Sequence, residues 1–149
     1  MKAPNFKLFS QNKNEVSLED YKGKSLIINF FPQAFSSTCT AQLCHMRDNF
    51  NQYQNMGVDV ISISVDSPYT LEAFAKQNDY TFPLLSDFNK NTIKDYDVYL
   101  ENFGFGMKGV SKRAVFLINP EGNIVYKEIT NSPGDTPNFE NLQQAINNL

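Results

Sequence analysis

Residues 28–44, INFFPQAFSSTCTAQLC, decide how this chain is read. The stretch opens inside an apolar run, Leu26 to Phe31, that is apolar on both faces, as a central strand is. It closes as the first turns of a helix. Between the two lie Pro32, a short loop with Ser36, and Cys39 where the helix begins. Free backbone N–H groups and the positive end of a helix dipole favour a thiolate at such a position. Cys39 is therefore a candidate reactive cysteine. The other reading is a structural thiol, because free cysteine is among the most buried residue types.

Working outward, Cys39, Leu43, Met46, Phe50 and Tyr53 recur at helical spacing, which predicts one helix closed by Gly57. Its core stripe begins at the cysteine. Val58 to Val65 is rich in β-branched residues and predicts a second central strand. Ser67-Pro68 opens a helix with Leu71, Phe74 and Ala75 on its inner face. Strand, helix, strand, helix at this spacing predicts an α/β sheet with a parallel pair, residues 25–31 beside 58–65.

The flanks follow. Phe6, Leu8, Val16 and Leu18 suggest two short strands around the polar turn SQNKN, then a helical turn over residues 18–21. Phe82 to Leu85 reads as a short strand beginning near Pro83, and Asn89 to Tyr96 as a helix. Residues 97–112 show no period and are expected to be a loop, with Phe103 and Phe105 as apolar handles covering the core. Ala114 to Asn119 is a strand. The turn Pro120–Asn123 leads to an antiparallel return over Ile124 to Ile129. Thr136 as N-cap and Pro137 at the first helical position would start a terminal amphipathic helix carrying Phe139, Leu142, Ile146 and Leu149. The whole is expected to be one α/β domain over residues 1–149, with a central mixed sheet of about five strands and an N-terminal β-hairpin.

Composition narrows the function. Hydrophobic residues make up 41% of the 149 positions, an ordinary globular value. The net charge of -3, without a basic block, argues against a nucleic-acid surface. No apolar run approaches the ~20 residues of a membrane span. The N-terminal MKAPNFKLF lacks the apolar core of a signal peptide. Two cysteines are too few for a disulfide framework, so a cytoplasmic protein with reduced thiols is expected.

The element order and two motifs carry a resemblance. FFPQAFSSTC resembles the P-x-x-x-S/T-x-x-C signature of peroxiredoxins through Pro32, Ser36 and Cys39. GVSKRAVFLINPEGNIV is similar to that family's later motif, an arginine just before a strand, here Arg113. CTAQLC, with Cys44 five residues after Cys39, looks like the bacterioferritin-comigratory (peroxiredoxin Q) branch. FFPQAF and TFPLLSDF look like the alkyl hydroperoxide reductase E branch.

The resemblance implies a thioredoxin-like fold and a cofactor-free thiol peroxidase. Its partners would be a peroxide and a thioredoxin-like or other thiol reductant, and it would be a monomer or homodimer. Cys39 would be the peroxidatic thiol. Arg113 would stabilise the thiolate and orient the peroxide, the Ser36 hydroxyl would donate to a peroxide oxygen, and Pro32 would shield the sulfur.

Cys44 would be the resolving thiol, forming a disulfide with Cys39; the other reading is a small residue on the helix flank, with the protein a one-cysteine peroxidase reduced directly by an external thiol. Geometry constrains that role. Residues five apart on a regular helix have Cα atoms roughly 8.6 Å apart and point about 140° from one another. A disulfide needs roughly under 7 Å, so the helix start must unwind first.

Three other readings bear on the same residues. Cys39, Cys44 and His45 offer three zinc ligands without a fourth, so no metal is expected. A thiol–disulfide oxidoreductase is disfavoured because no C-x-x-C occurs. A redox-inert binding domain on the same fold stays open on the residues alone.

Overall fold

A computed structural model describes residues 1–149. Nine strands and five helices follow one another as β1 (Lys7–Ser10), β2 (Glu15–Ser17), β3 (Ser25–Phe30), α1 (Ser37–Asp48), α2 (Phe50–Asn55), β4 (Val58–Ser64), α3 (Pro68–Asn78), β5 (Leu84–Ser86), α4 (Asn91–Asp95), β6 (Tyr99–Asn102), β7 (Lys108–Ser111), β8 (Ala114–Ile118), β9 (Ile124–Ile129) and α5 (Phe139–Asn147). A 3₁₀ turn over Leu18–Tyr21 follows β2, as the sequence suggests.

Seven strands form the main sheet, in the order β2-β1-β5-β4-β3-β8-β9. β3 and β4 pair in parallel, with Ile28 opposite Ile61. β8 pairs antiparallel with both β3 and β9. The N-terminal hairpin is part of this sheet, because β1 pairs antiparallel with β5. The five central strands expected from the sequence are β5, β4, β3, β8 and β9, and the hairpin extends them at one edge.

Alternation along β3 separates two apolar layers. Ile27 and Phe31 pack with α1, α2, α3 and α5. Leu26, Ile28 and Phe30 pack on the other side with Ile93 of α4, Tyr96 and Phe6. Asn29 shares the face of Ile27 and Phe31 and is fully buried. A buried amide needs partners, and those of Asn29 lead to the site described below.

Four expectations need correction. The helix predicted to run to Gly57 breaks at Asn49, which has ψ 10 and whose side-chain amide donates to the His45 carbonyl at 2.8 Å. Asparagine competes for backbone groups in this way. Residues 97–112 are not a plain loop, since β6 and β7 pair there as a separate antiparallel ribbon. Phe105 does not cover the core. It sits at the ribbon's tip with φ 60, fully exposed. The last helix is capped by Asn138, whose side chain accepts from the Asn141 N–H, and not by Thr136. No helix is long and apolar enough to cross a membrane.

Candidate active site

β3 delivers the chain to the site and the first turn of α1 carries the thiol into it. Phe31 still bonds to the sheet through its N–H to the Ile63 carbonyl. Pro32, buried, has no N–H to continue the pairing. The chain then turns through Ala34, whose N–H donates to Asp66 Oδ2 at 2.8 Å, and Phe35, at φ 72. The Phe35 ring lies 5.0 Å from that of Phe74. Asp66 also accepts from the Ser64 hydroxyl, and its burial raises the carboxyl above the usual range. The loop before the cysteine is thus fixed from the end of β4.

Ser36 is the N-cap of α1 by backbone, its carbonyl accepting from the Thr40 N–H at 2.9 Å. Its hydroxyl does not cap. It donates to the Gln33 carbonyl at 3.1 Å. Cys39 therefore stands in the first turn, ahead of the first helical hydrogen bond, with no exposed surface.

Arg113 reaches the same point from the residue before β8. Its Nη1 lies 3.1 Å from Cys39 Sγ and donates to Gln42 Oε1 at 3.0 Å. Nε and Nη2 both donate to the Pro133 carbonyl, at 3.0 and 2.7 Å. These bonds use both N–H groups of Nη1, the Nε–H and one N–H of Nη2, leaving one Nη2 N–H without a protein acceptor. Arg113 is 2% exposed and takes part in none of the chain's salt bridges. A buried guanidinium with no carboxylate is costly unless another anion faces it. The nearest group able to become one is the Cys39 thiol.

Sequence reasoning missed Gln42 and Pro133. Gln42 is fully buried, and its amide donates to Asn29 Oδ1 at 3.3 Å and to the Phe30 and Ala114 carbonyls at 3.5 Å. It ties α1 to β3 and β8 and fixes Arg113 from behind. The available signal was a glutamine on the apolar stripe of Cys39, Leu43 and Met46. Pro133 acts through its carbonyl alone, which leaves no side-chain signal.

The structure thus brings Cys39 and Arg113 into contact and places Pro32 and Ser36 in the loop leading to them. Cys44 lies apart, half-buried on the flank of α1, and both thiols are free. Its Sγ contacts the Tyr80 hydroxyl at 3.3 Å.

His45 ties α1 to α5. Its ring stacks on Phe139 with centroids 3.6 Å apart, and Nε2 pairs with the Tyr53 hydroxyl at 3.0 Å. Burial lowers its pKa below the ordinary 6.5, against an opposing pull from Asp48. The unfolded chain then holds the proton more readily than the folded one. Stability is therefore lost as pH falls below about 6.5 and levels off beneath the folded-state value. Urea midpoints at pH 8 and pH 5 should show this loss, and His45→Phe, which keeps the stack, should reduce it. An equal loss in that variant would assign the slope to other groups.

A free thiol facing a guanidinium at a helix start, on a thioredoxin-like mixed sheet, fits the class of thiol-dependent peroxidases built as peroxiredoxins are, and comparison with known proteins shows that class. The AhpC/TSA family model matches residues 1–127, and the chain belongs to that family. It is 36% identical over 124 residues to peroxiredoxin Bcp of Escherichia coli, covering 82% of this chain and 79% of that protein. Alkyl hydroperoxide reductase E of Mycobacterium bovis is 35% identical over 136 residues, 89% of this chain and 85% of the other. Among solved structures, Enterococcus faecalis AhpC superimposes with a TM-score of 0.86 at 30% identity, over 99% of this chain and 89% of that one.

Proposed function

We propose that the protein reduces hydrogen peroxide and organic hydroperoxides in the cytoplasm through Cys39, with an external thiol as final reductant. The observation that carries this reading is the Arg113–Cys39 contact of 3.1 Å, made by a buried guanidinium without a carboxylate partner. The Cys39 thiolate attacks one peroxide oxygen and the O–O bond breaks. Cys39 becomes a sulfenic acid, and the other oxygen leaves as alkoxide or hydroxide, protonated by solvent.

Ionisation alone does little for this step. An ordinary thiol near pKa 8.5 is already about 3% thiolate at neutral pH, so full ionisation gains only about thirtyfold. Most of the acceleration must come from fixed donors facing the charge that develops on oxygen. The unspent Nη2 N–H of Arg113 and the N–H groups of the first α1 turn are suited to this. Pro32 keeps a competing donor away and shapes the wall.

Cys39 has no exposed surface, so no protein reductant reaches it while α1 is wound. Resolution by Cys44 answers that constraint. The start of α1 unwinds, Cys44 condenses with the sulfenic acid to a disulfide and water, and the reductant meets a bond in an opened segment.

Stopped-flow mixing with peroxide, followed by intact mass, tests the reading. The expected result is single-turnover oxidation of Cys39 far faster than free cysteine, then a loss of two mass units. Oxidation no faster than free cysteine would overturn it.

Ser36→Ala examines the loop. The side chain makes no capping bond, so helix stability should hold. Because the hydroxyl donates to Gln33, it can reach a peroxide oxygen only by rotating. A slower peroxide step, about tenfold, is the expected outcome, and an unchanged rate constant would confine Ser36 to shaping the turn.

A further inference from the structure

Cys44 is tethered. The Tyr80 hydroxyl that meets its Sγ at 3.3 Å also donates to the Thr40 carbonyl at 3.3 Å. The Thr40 carbonyl only accepts, so when the hydroxyl's single proton serves Thr40 the Tyr80 oxygen accepts from the Cys44 S–H, and either thiol or phenol can be the donor between Cys44 and Tyr80. Thr40 and Cys44 stand one helical turn apart on α1, so one phenol fastens both ends of that turn.

The phenol itself is rigidly held. Tyr80 is 5% exposed, with its ring edge-on to Phe74 at 5.2 Å and stacked on Phe82 at 5.6 Å. It follows Asp79, whose left-handed backbone (φ 57) ends α3. Burial keeps its hydroxyl protonated well above the ordinary tyrosine range. Arg47 fastens the next turn of α1 to the same end of α3, donating from Nη1 to the Asn78 carbonyl at 2.8 Å.

We propose that Tyr80 is a positioning residue for resolution: its hydroxyl latches Thr40 and Cys44 in the wound helix, and its release sets how fast Cys44 reaches oxidised Cys39. The inference rests on the reading that Cys44 resolves. In the step itself Cys44 gives up its proton, its sulfur bonds to Cys39 Sγ, and the S–O bond of the sulfenic acid breaks with water as product. The oxidising equivalents are those of the peroxide already consumed, and Tyr80 makes and breaks no covalent bond. A latched Cys44 prolongs the sulfenic acid and exposes it to a second peroxide, which forms sulfinic acid. The latch thereby sets the peroxide level at which the enzyme inactivates.

Tyr80→Phe keeps the packed ring and removes both bonds. The peroxide step should stay within twofold of wild type, while disulfide formation accelerates about five- to tenfold. The variant loses the bonds only in the reduced form, since the latch is already released in the disulfide. The reduction potential of the Cys39–Cys44 couple should therefore fall, by about 30 mV for a tenfold change. Tyr96→Phe is the control. It removes a comparable hydroxyl bond, to the Pro4 carbonyl at 2.7 Å on the other side of the sheet, and should leave rate and potential unchanged.

A disulfide step that is unchanged or slower in Tyr80→Phe, or an unmoved potential, overturns the latch. If the wild type forms no disulfide at all, the resolving role of Cys44 falls separately. The latch is then read in a Cys39→Ser background, where Tyr80→Phe should speed iodoacetamide alkylation of Cys44 about fivefold; an equal rate overturns it there too.

Discussion

Arg113→Lys should slow the peroxide step about a hundredfold, with the fold intact. Removing one donor that faces a developing oxyanion typically costs about 10²–10³ in rate. The lysine cannot supply that donor. In the wild-type site one planar group bonds Cys39, Gln42 and the Pro133 carbonyl and keeps an Nη2 N–H free. An ammonium has three N–H groups, and satisfying the same three acceptors spends them all. Lysine preserves the positive charge facing the thiol, so the substitution separates charge from geometry. Single-turnover stopped-flow kinetics with hydrogen peroxide is the measurement. A rate constant within twofold of wild type would mean that charge alone suffices, and the fork would have no part in the mechanism.

The parts of this site legible in the sequence are those that repeat or punctuate. Cys39, Leu43 and Met46 sit at helical spacing, and all three are fully buried. Pro32 and Ser67-Pro68 mark chain turns that the structure keeps. The parallel pairing of β3 with β4 follows from an apolar run and a β-branched run joined by a helical stretch. What escaped depends on partners remote in sequence. Gln42 is a polar residue on an apolar stripe whose role appears only when Asn29, Phe30, Ala114 and Arg113 close around it. The β6–β7 ribbon stands apart from the main sheet, so its strands lack the two-sided apolar pattern that revealed β3. Asn49 breaks a periodic stripe without disturbing it, because the apolar positions continue on the same face of α2. Tyr80 belongs to no motif or periodic stripe, and its contacts with Thr40 and Cys44 of α1 are what distinguish it.

Cys44→Ser should react once with peroxide at nearly wild-type speed and then fail to turn over with a thioredoxin-type reductant. The first half follows from separation. Cys44 contacts Tyr80 on the flank of α1, while Cys39 meets Arg113 on the core side. The five-residue offset turns the two side chains about 140° apart, so the variant leaves the thiol–guanidinium contact untouched. The second half follows from burial. With no exposed surface on Cys39 and no second thiol to draw the helix open, the sulfenic acid persists, and excess peroxide takes it to sulfinic acid. Intact mass should then show a gain of two oxygens where the wild type loses two mass units. Hydrogen exchange supplies the structural half of the test. On oxidation the wild type should lose protection over residues 37–45 while β8 stays protected, since a disulfide at this spacing requires an unwound helix. The variant should show much less of that loss. If Cys44→Ser instead turns over normally, α1 opens without a disulfide to hold it open, and an external thiol reduces Cys39 directly. The protein would then work as a one-cysteine peroxidase, with Cys44 a packing residue beside Tyr80.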